Sequence, residues 1–522
     1  YYEYDAANRV SAVISPYGEV TYYEYLANDL TQCALLGNGV GAYYEYDLGN
    51  RITGITHRRV SDGADLGSFH YQYDHNSNRT QLSFEGDAVP PGCGVKSIVY
   101  QYSVSSMDRL ETGNYLDNMG GVLYCLDCRY DLNGNRTLFM RQPAESGKDS
   151  RSTYYEYNEL NQLTRSVHVE KDLNLGTILM GATYFDYDLN GNTVQRVDTD
   201  ENGDIIGATY YTWDPQDQLT GVQSTGGVDN TFAYDGGFQR VGKEDSAGTT
   251  KYNWDGLNVI LEHDASDNPA ATHTHGPVPV PGIGTHLTTR QHGAVPEDLW
   301  YHHDAIGSTR GLSDTPAPAD VTRQNLLDAW GNLLATAGTE DTPYRFTGKE
   351  TDPDTGLIYF GRRYYDPTTG RWLNRDPARD GLNWYEYAAS NPLARVDAEG
   401  LDDEEIAFQW WTVPARTPQE RLYVVSNWGS AWPEYPDPVH LYGVSPGYDV
   451  DPNGGADIDS IGLGFILSEW SKGTPVYDPY TLRETGRSGQ LPNAARHLAN
   501  YIEIPKGIES DYQFSFDAVR NE

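Results

Sequence analysis

Along the first 260 residues, apolar and polar positions alternate with a period of two, interrupted at intervals by clusters of Asp, Asn and Gly. Tyrosine carries the alternation. YYEYDAANRV (1–10), YYEYDLGNRI (43–52), YQYDHNSNRT (71–80), CRYDLNGNRT (128–137), YFDYDLNGNT (184–193) and FAYDGGFQRV (232–241) share one pattern. Eleven such units align, with their second aromatic at 4, 25, 46, 73, 102, 130, 157, 187, 213, 234 and 254. A period of two puts both aromatics of Y-x-Y on one face of a strand. The D-x-x-G-N or D-x-x-N-R that follows supplies residues tolerant of positive φ and predicts a tight hairpin turn. A lone hairpin cannot bury its apolar face, so consecutive units are expected to pair edge to edge in one continuous sheet.

The length of 522 residues predicts two to four domains, unless a repeat array accounts for most of it. Tyr outnumbers Phe by 41 to 12, which suits extended β-structure with rings flat on the sheet and hydroxyls in water. A net charge of −38 counts against nucleic acid or an anionic membrane as partner of the repeat region. No run of 18 apolar residues predicts a membrane span. The chain begins inside a repeat, without Met or a leader, and is expected to be a fragment of a longer protein.

Candidate metal sites read as ordinary structure. Cys125 and Cys128 form a CxxC, but in a strand, where residues three apart point to opposite faces. The loops beginning at Asp131, Asp188 and Asp198 look like calcium loops yet fall at the repeat turn and lack the closing Glu. From 264 to 299 the rhythm breaks, and Pro, Gly and Thr with His273, His275 and His286 predict a crossing loop with no ligand set. No cofactor and no metal are expected.

From residue 300 the text changes. WYHHDAIGSTRGLSD (300–314), YRFTGKETDPDTGLIYFGRRYYDPTTGRWLNRDP (344–377) and GLNWYEYAASNPLARVDAEGL (381–401) follow one another. The repeats resemble the YD repeats of the RHS and teneurin-like family, and this block resembles the RHS-repeat-associated core of polymorphic toxins. The resemblance covers roughly residues 1 to 401. It implies an all-β fold whose hairpins wind into a hollow shell (1–299), a core carrying an aspartyl autoprotease (300–401), and a variable C-terminal domain (402–522).

Hydrolysis by carboxylates needs two of them close together, one ionised to activate water and one protonated. Asp352, Asp354 and Asp366 stand in turn-forming contexts. The resemblance selects Asp376, in LNRDP beside Arg375, and Asp397, four residues before the expected cut between Leu401 and Asp402. Ala398 stands where the family has Pro, a change that removes no reactive group.

Residues 402–522 hold 19 acids and 8 bases, with strand-like text at 421–427 and helix-like text at 494–502. A small mixed α+β domain is expected there. His440, His497 and the Asp449–Asn453 turn have no accompanying motif, and Trp410, Trp411, Trp428, Trp432 and Trp470 suit a small aromatic core. By resemblance this is the cargo of a secreted or cell-surface bacterial protein. Its expected partners are the shell that holds it, an immunity protein and a secretion-system component. The alternative reading is a structural or adhesive surface protein with a non-toxic tail and no working protease.

Overall fold

In the computed structural model the described residues are 1–401 except 104–107, 144–149, 173–175, 278–285, 315–318 and 380. Beyond them are 403–405, 411–413, 422–424, 440–441, 450–451 and 455–456. The chain divides into two compact units, Tyr1–Ala407 and Phe408–Glu522. In the second, Leu422–Val424 lies within the expected strand and pairs with Trp411–Val413 and His440–Leu441. The expected helix, His497, Asp449, Asn453, Trp410, Trp428, Trp432 and Trp470 lie outside the described residues.

The first unit is β-structure, with no α-helix among its described residues. Twenty-eight strands from Tyr2–Tyr4 to Leu333–Gly338 form one sheet, each strand antiparallel to the next in the chain. The hairpins repeat one turn. Asp131 Oδ1 accepts the backbone N–H groups of Asn133 and Asn135, both at 2.9 Å, and Gly134 takes a φ of 84°. Asp5, Asp47 and Asp214 cap their turns the same way, with Asn8, Asn50 and Asp217 at φ of 61° to 62°. The calcium-like loops are therefore carboxylate-capped turns, in which the Asp satisfies amides that a turn leaves open.

The tyrosine hydroxyls are placed differently from expectation. After the first unit, the second aromatic reaches back to a backbone carbonyl in the preceding return strand. Tyr46 donates to Thr31, Tyr73 to Ile52, Tyr130 to Leu110 and Tyr157 to Arg136, at 2.6–2.8 Å. Where the unit carries Trp213 or Trp254, the indole Nε1–H makes the same bond, to Thr193 at 2.7 Å and Arg240 at 2.8 Å. The hydroxyls face protein because the rings lean along the sheet toward the neighbouring hairpin. Phe cannot replace them as donors.

The sheet winds back on itself. Asn38 donates to Ser313 at 2.8 Å, Arg59 pairs with Asp320 at 2.6 Å, and Arg290 pairs with Glu19 at 3.0 Å. The expected loop at 264–299 contains strands among its described residues. Pro269–His275, His286–Gln291 and Glu297–His303 pair in the sheet, with His273, His275 and His286 buried. The alternation that makes them strands is carried by His and Thr, residues without apolar weight, which hid it. Cys125 and Cys128 lie on one strand, Val122–Tyr130, half-buried and buried respectively.

Residues 344–398 fill the winding. Phe346, Ile358, Phe360, Tyr365, Trp372, Tyr387 and Val396 cluster with Ile306 and Leu327 of the sheet. Leu357, Tyr359, Tyr364 and Leu373 pack against Tyr211, Leu219, Val222 and Phe232. A fully buried Arg240 of the sheet pairs with Glu350 of the core, which also takes Lys243 at 3.0 Å and the Tyr252 hydroxyl at 3.0 Å. The core is thus fixed to the sheet by both apolar contact and a buried ionic network.

Candidate active site

The chain reaches the expected cut along Arg395–Asp397, a strand paired with Asp403–Glu405 so that Asp397 faces Asp403. One carboxylate holds the turn between them. Asp397 Oδ1 accepts the N–H groups of Glu399, Gly400 and Leu401 at 3.2, 2.6 and 3.0 Å. Gly400 sits at φ 76°, and a Cβ there would lie 2.9 Å from the Arg363 amide nitrogen, so the position needs glycine. The Glu399 carbonyl accepts the Arg362 N–H at 2.9 Å, and the Ala398 carbonyl accepts Lys349 Nζ at 2.6 Å. The four residues before the bond, 398–401, are therefore held by Asp397, Arg362 and Lys349.

The guanidinium of Arg363 stands between the two predicted carboxylates. Its Nη2 donates to Asp397 Oδ2 at 2.9 Å, and its Nη1 lies 3.8 Å from Asp376 Oδ1. The face of Trp372 lies 4.1 Å from it. Asp376 is buried, and its Oδ1 also accepts the Ala378 N–H at 2.9 Å, the bond of an ordinary Asp-Pro turn. Burial pushes the Asp397 carboxyl up from its ordinary range, against the pull of Arg363 and the Leu401 and Gly400 amides. Burial also lowers the Lys349 ammonium to about 8, opposed by Asp397 and Glu399.

Asp376, Arg375 and Leu401 line one cavity of about 400 Å³, shared with Asp217, Asn374, Arg362 and Arg379. The structure thus brings together Asp376, Arg375 and Leu401 at the cavity, and joins Asp376 to Asp397 through Arg363. Asp402 lies outside the described residues. The Arg375 guanidinium rests 6.0 Å from the Trp384 ring. Asp352 and Asp366 cap their own turns, accepting the Thr355 and Thr368 N–H groups at 2.9 and 2.8 Å, and half-buried Asp354 holds Ser246. Arg363 and Lys349 were not singled out from sequence. The available signal was a cation inside an aromatic run, as in IYFGRRYYD and RFTGKE, where a buried charge needs a partner.

No protein-family model matches the chain. It is 32% identical over 289 residues to the tRNA3(Ser)-specific nuclease WapA of Bacillus spizizenii, covering 53% of this chain and 11% of that protein. It is 30% identical over 222 residues to the double-stranded DNA deaminase toxin A of Burkholderia cenocepacia, covering 37% and 15%. It is 52% identical over 115 residues to toxin subunit YenC2 of Yersinia entomophaga, covering 21% and 12%. The chain thus spans a small part of these relatives' length. Among solved structures it is similar to TcdB2–TccC3 without its hypervariable C-terminal region, with a TM-score of 0.52 and 19% identity, covering 77% of this chain and 20% of that one. It is also similar to the Photorhabdus luminescens Tc holotoxin pore, with a TM-score of 0.50 and 18% identity, covering 78% and 21%. Identities this low carry the fold alone, and that fold is a repeat-built β-shell. The YD repeats, the core block they surround and the toxin relatives go further: the chain belongs to the RHS/YD-repeat family.

Proposed function

We propose that this chain is the shell and self-cleaving core of a secreted or surface-delivered toxin, and that the core cuts after Leu401 to free residues 402–522 as an effector. The observation that carries the reading is the junction of Asp376 and Leu401 in one cavity, with Arg363 linking Asp376 to Asp397. Asp376 takes a proton from a water in the cavity, whose oxygen joins the Leu401 carbonyl carbon. The bond to the Asp402 nitrogen then breaks, and the proton passes to the departing amine. Asp397 holds the turn and is the second carboxylate of the pair, while Arg363 balances charge between them. Fixing Ala398, Glu399 and Leu401 before the reaction lowers the entropy cost of attack.

The cargo is proposed to be a toxin because relatives are named as nucleases, a deaminase toxin and toxin subunits. Shell and cargo would then be each other's first partner, with an immunity protein as the natural second. Inducible expression of residues 402–522 alone tests this part. Arrest of growth is expected, and unimpaired growth of cells making the folded fragment would favour a structural surface protein.

A further inference from the structure

The cavity beside the cut holds more positive charge than the proposed reaction uses. Arg362, Arg375 and Arg379 line it with Leu401, and among the described residues none of these three guanidinium groups is in an ion pair. Each lies by an aromatic ring, Arg362 on Phe238 at 4.7 Å and Arg375 and Arg379 on Trp384 at 6.0 and 5.8 Å. Two carboxylates share the cavity. Asp217 already accepts the Asn190 and Asn192 amides at 2.9 and 2.7 Å, and Asp376 is beside Arg363. Among the described residues, three arginines against two acids leave the cavity lining one negative charge short, in a chain whose net charge is −38. In so acidic a molecule, unpaired guanidinium groups gathered at one spot mark a place built for an anion.

We infer that this cavity is the binding site for the α-carboxylate that cleavage creates on Leu401. The inference rests on the cut proposed above. Hydrolysis adds one water across the Leu401–Asp402 bond and leaves a carboxylate on Leu401 and an ammonium on Asp402. The new carboxylate forms on a residue that already lines the cavity, and it supplies the missing negative charge. Guanidinium groups bind carboxylates through paired, planar hydrogen bonds, so the product is held more tightly than the uncut amide. The released end is thereby locked down, the reverse reaction is disfavoured, and the core stays seated after its chain is cut.

The test is trimming of the cut full-length protein by a broad-specificity carboxypeptidase, followed by intact mass. Trimming is scaled to a free peptide ending in Gly-Leu in the same solution. The wild-type shell fragment is expected to keep Leu401, and the Arg362→Gln/Arg379→Gln variant to lose it at least tenfold faster. The variant's own cut reports that its core has folded. Should it not fold, the wild type in about 1 M salt gives the same reading, because screening loosens the end and speeds trimming. Equal trimming with and without the arginines, or no effect of salt, overturns the carboxylate site while leaving the cut intact. Absence of any fragment ending at Leu401 overturns both, and is recognised by the unbroken mass.

Discussion

Arg363 is the residue on which the candidate site depends most. It is buried, faces two carboxylates, and stacks on Trp372. Replacing it with Met leaves a buried, amide-bound Asp397 without the guanidinium that pairs with it. Loss of one partner of a buried pair costs about 3–5 kcal/mol, so Arg363→Met is expected to lower the melting temperature by several degrees and abolish the cut. Arg363→Lys keeps one charge but cannot present two nitrogens to two acids; it should fold and cut slowly. An Arg363→Met protein that cuts normally would remove Arg363 from the mechanism. Gly400 offers a cleaner separation of geometry from chemistry. Gly400→Ala forces a side chain into a left-handed position costing about 1–2 kcal/mol and against the Arg363 backbone. With both carboxylates and both cations intact, denaturing gels should still show at least a tenfold slower cut.

At the scale of the hairpin, the repeat was legible because its signals are local. Y-x-Y alternation gives the strand, and Asp, Asn and Gly give the turn, each within ten residues. What the pattern does not carry is the bond between units. Whether a Tyr hydroxyl meets water or the carbonyl of the previous hairpin depends on strand register, and so the placement in water was wrong for the second aromatic. The substitution of Trp213 and Trp254 at that position, and never Phe in the bonds described, is the chemical trace of a required donor. Tyr130→Phe should therefore cost about 0.5–1.5 kcal/mol, the net worth of one hydrogen bond, measured as a fall in unfolding midpoint. A comparable change at exposed Tyr154 should cost nothing measurable. Equal effects at the two would show that the donor role is unimportant. The strands at 269–275 and 286–291 were missed for the opposite reason, since His and Thr alternate there without the apolar residues that mark a buried face.

Across the whole molecule, the winding places several histidines in its interior. Burial lowers His57 to about 4 and His275 to about 3, and lowers His286, His302 and His303 as well. They face one another and backbone groups: His302 Nδ1 lies 3.1 Å from His57 Nδ1, and His275 Nε2 2.7 Å from the Val259 carbonyl. A histidine held below its ordinary value binds fewer protons folded than unfolded. Its contribution is present above about pH 6.5 and is lost as pH falls below that, by roughly 1.4 kcal/mol per pH unit for each such residue. Calorimetry between pH 7.5 and 5.5 should show the melting temperature falling with pH, less steeply in His302→Gln. A flat profile would mean these rings are solvated. The same long reach explains what sequence could not supply at the site. Asp376 and Asp397 were found through a resemblance, whereas Arg363 and Lys349 gain their meaning only when the 346–363 segment is folded against the 397–401 turn.

The central claim is that this fold cuts its own chain at one bond. Intact-mass measurement of the purified full-length chain, beside Asp376→Asn, tests it most directly. The wild type should give two masses, one ending at Leu401 and one beginning at Asp402, while the variant, which keeps the turn but loses the base, gives a single uncut mass. A wild type that stays whole, or both proteins broken at the same place, would contradict the account.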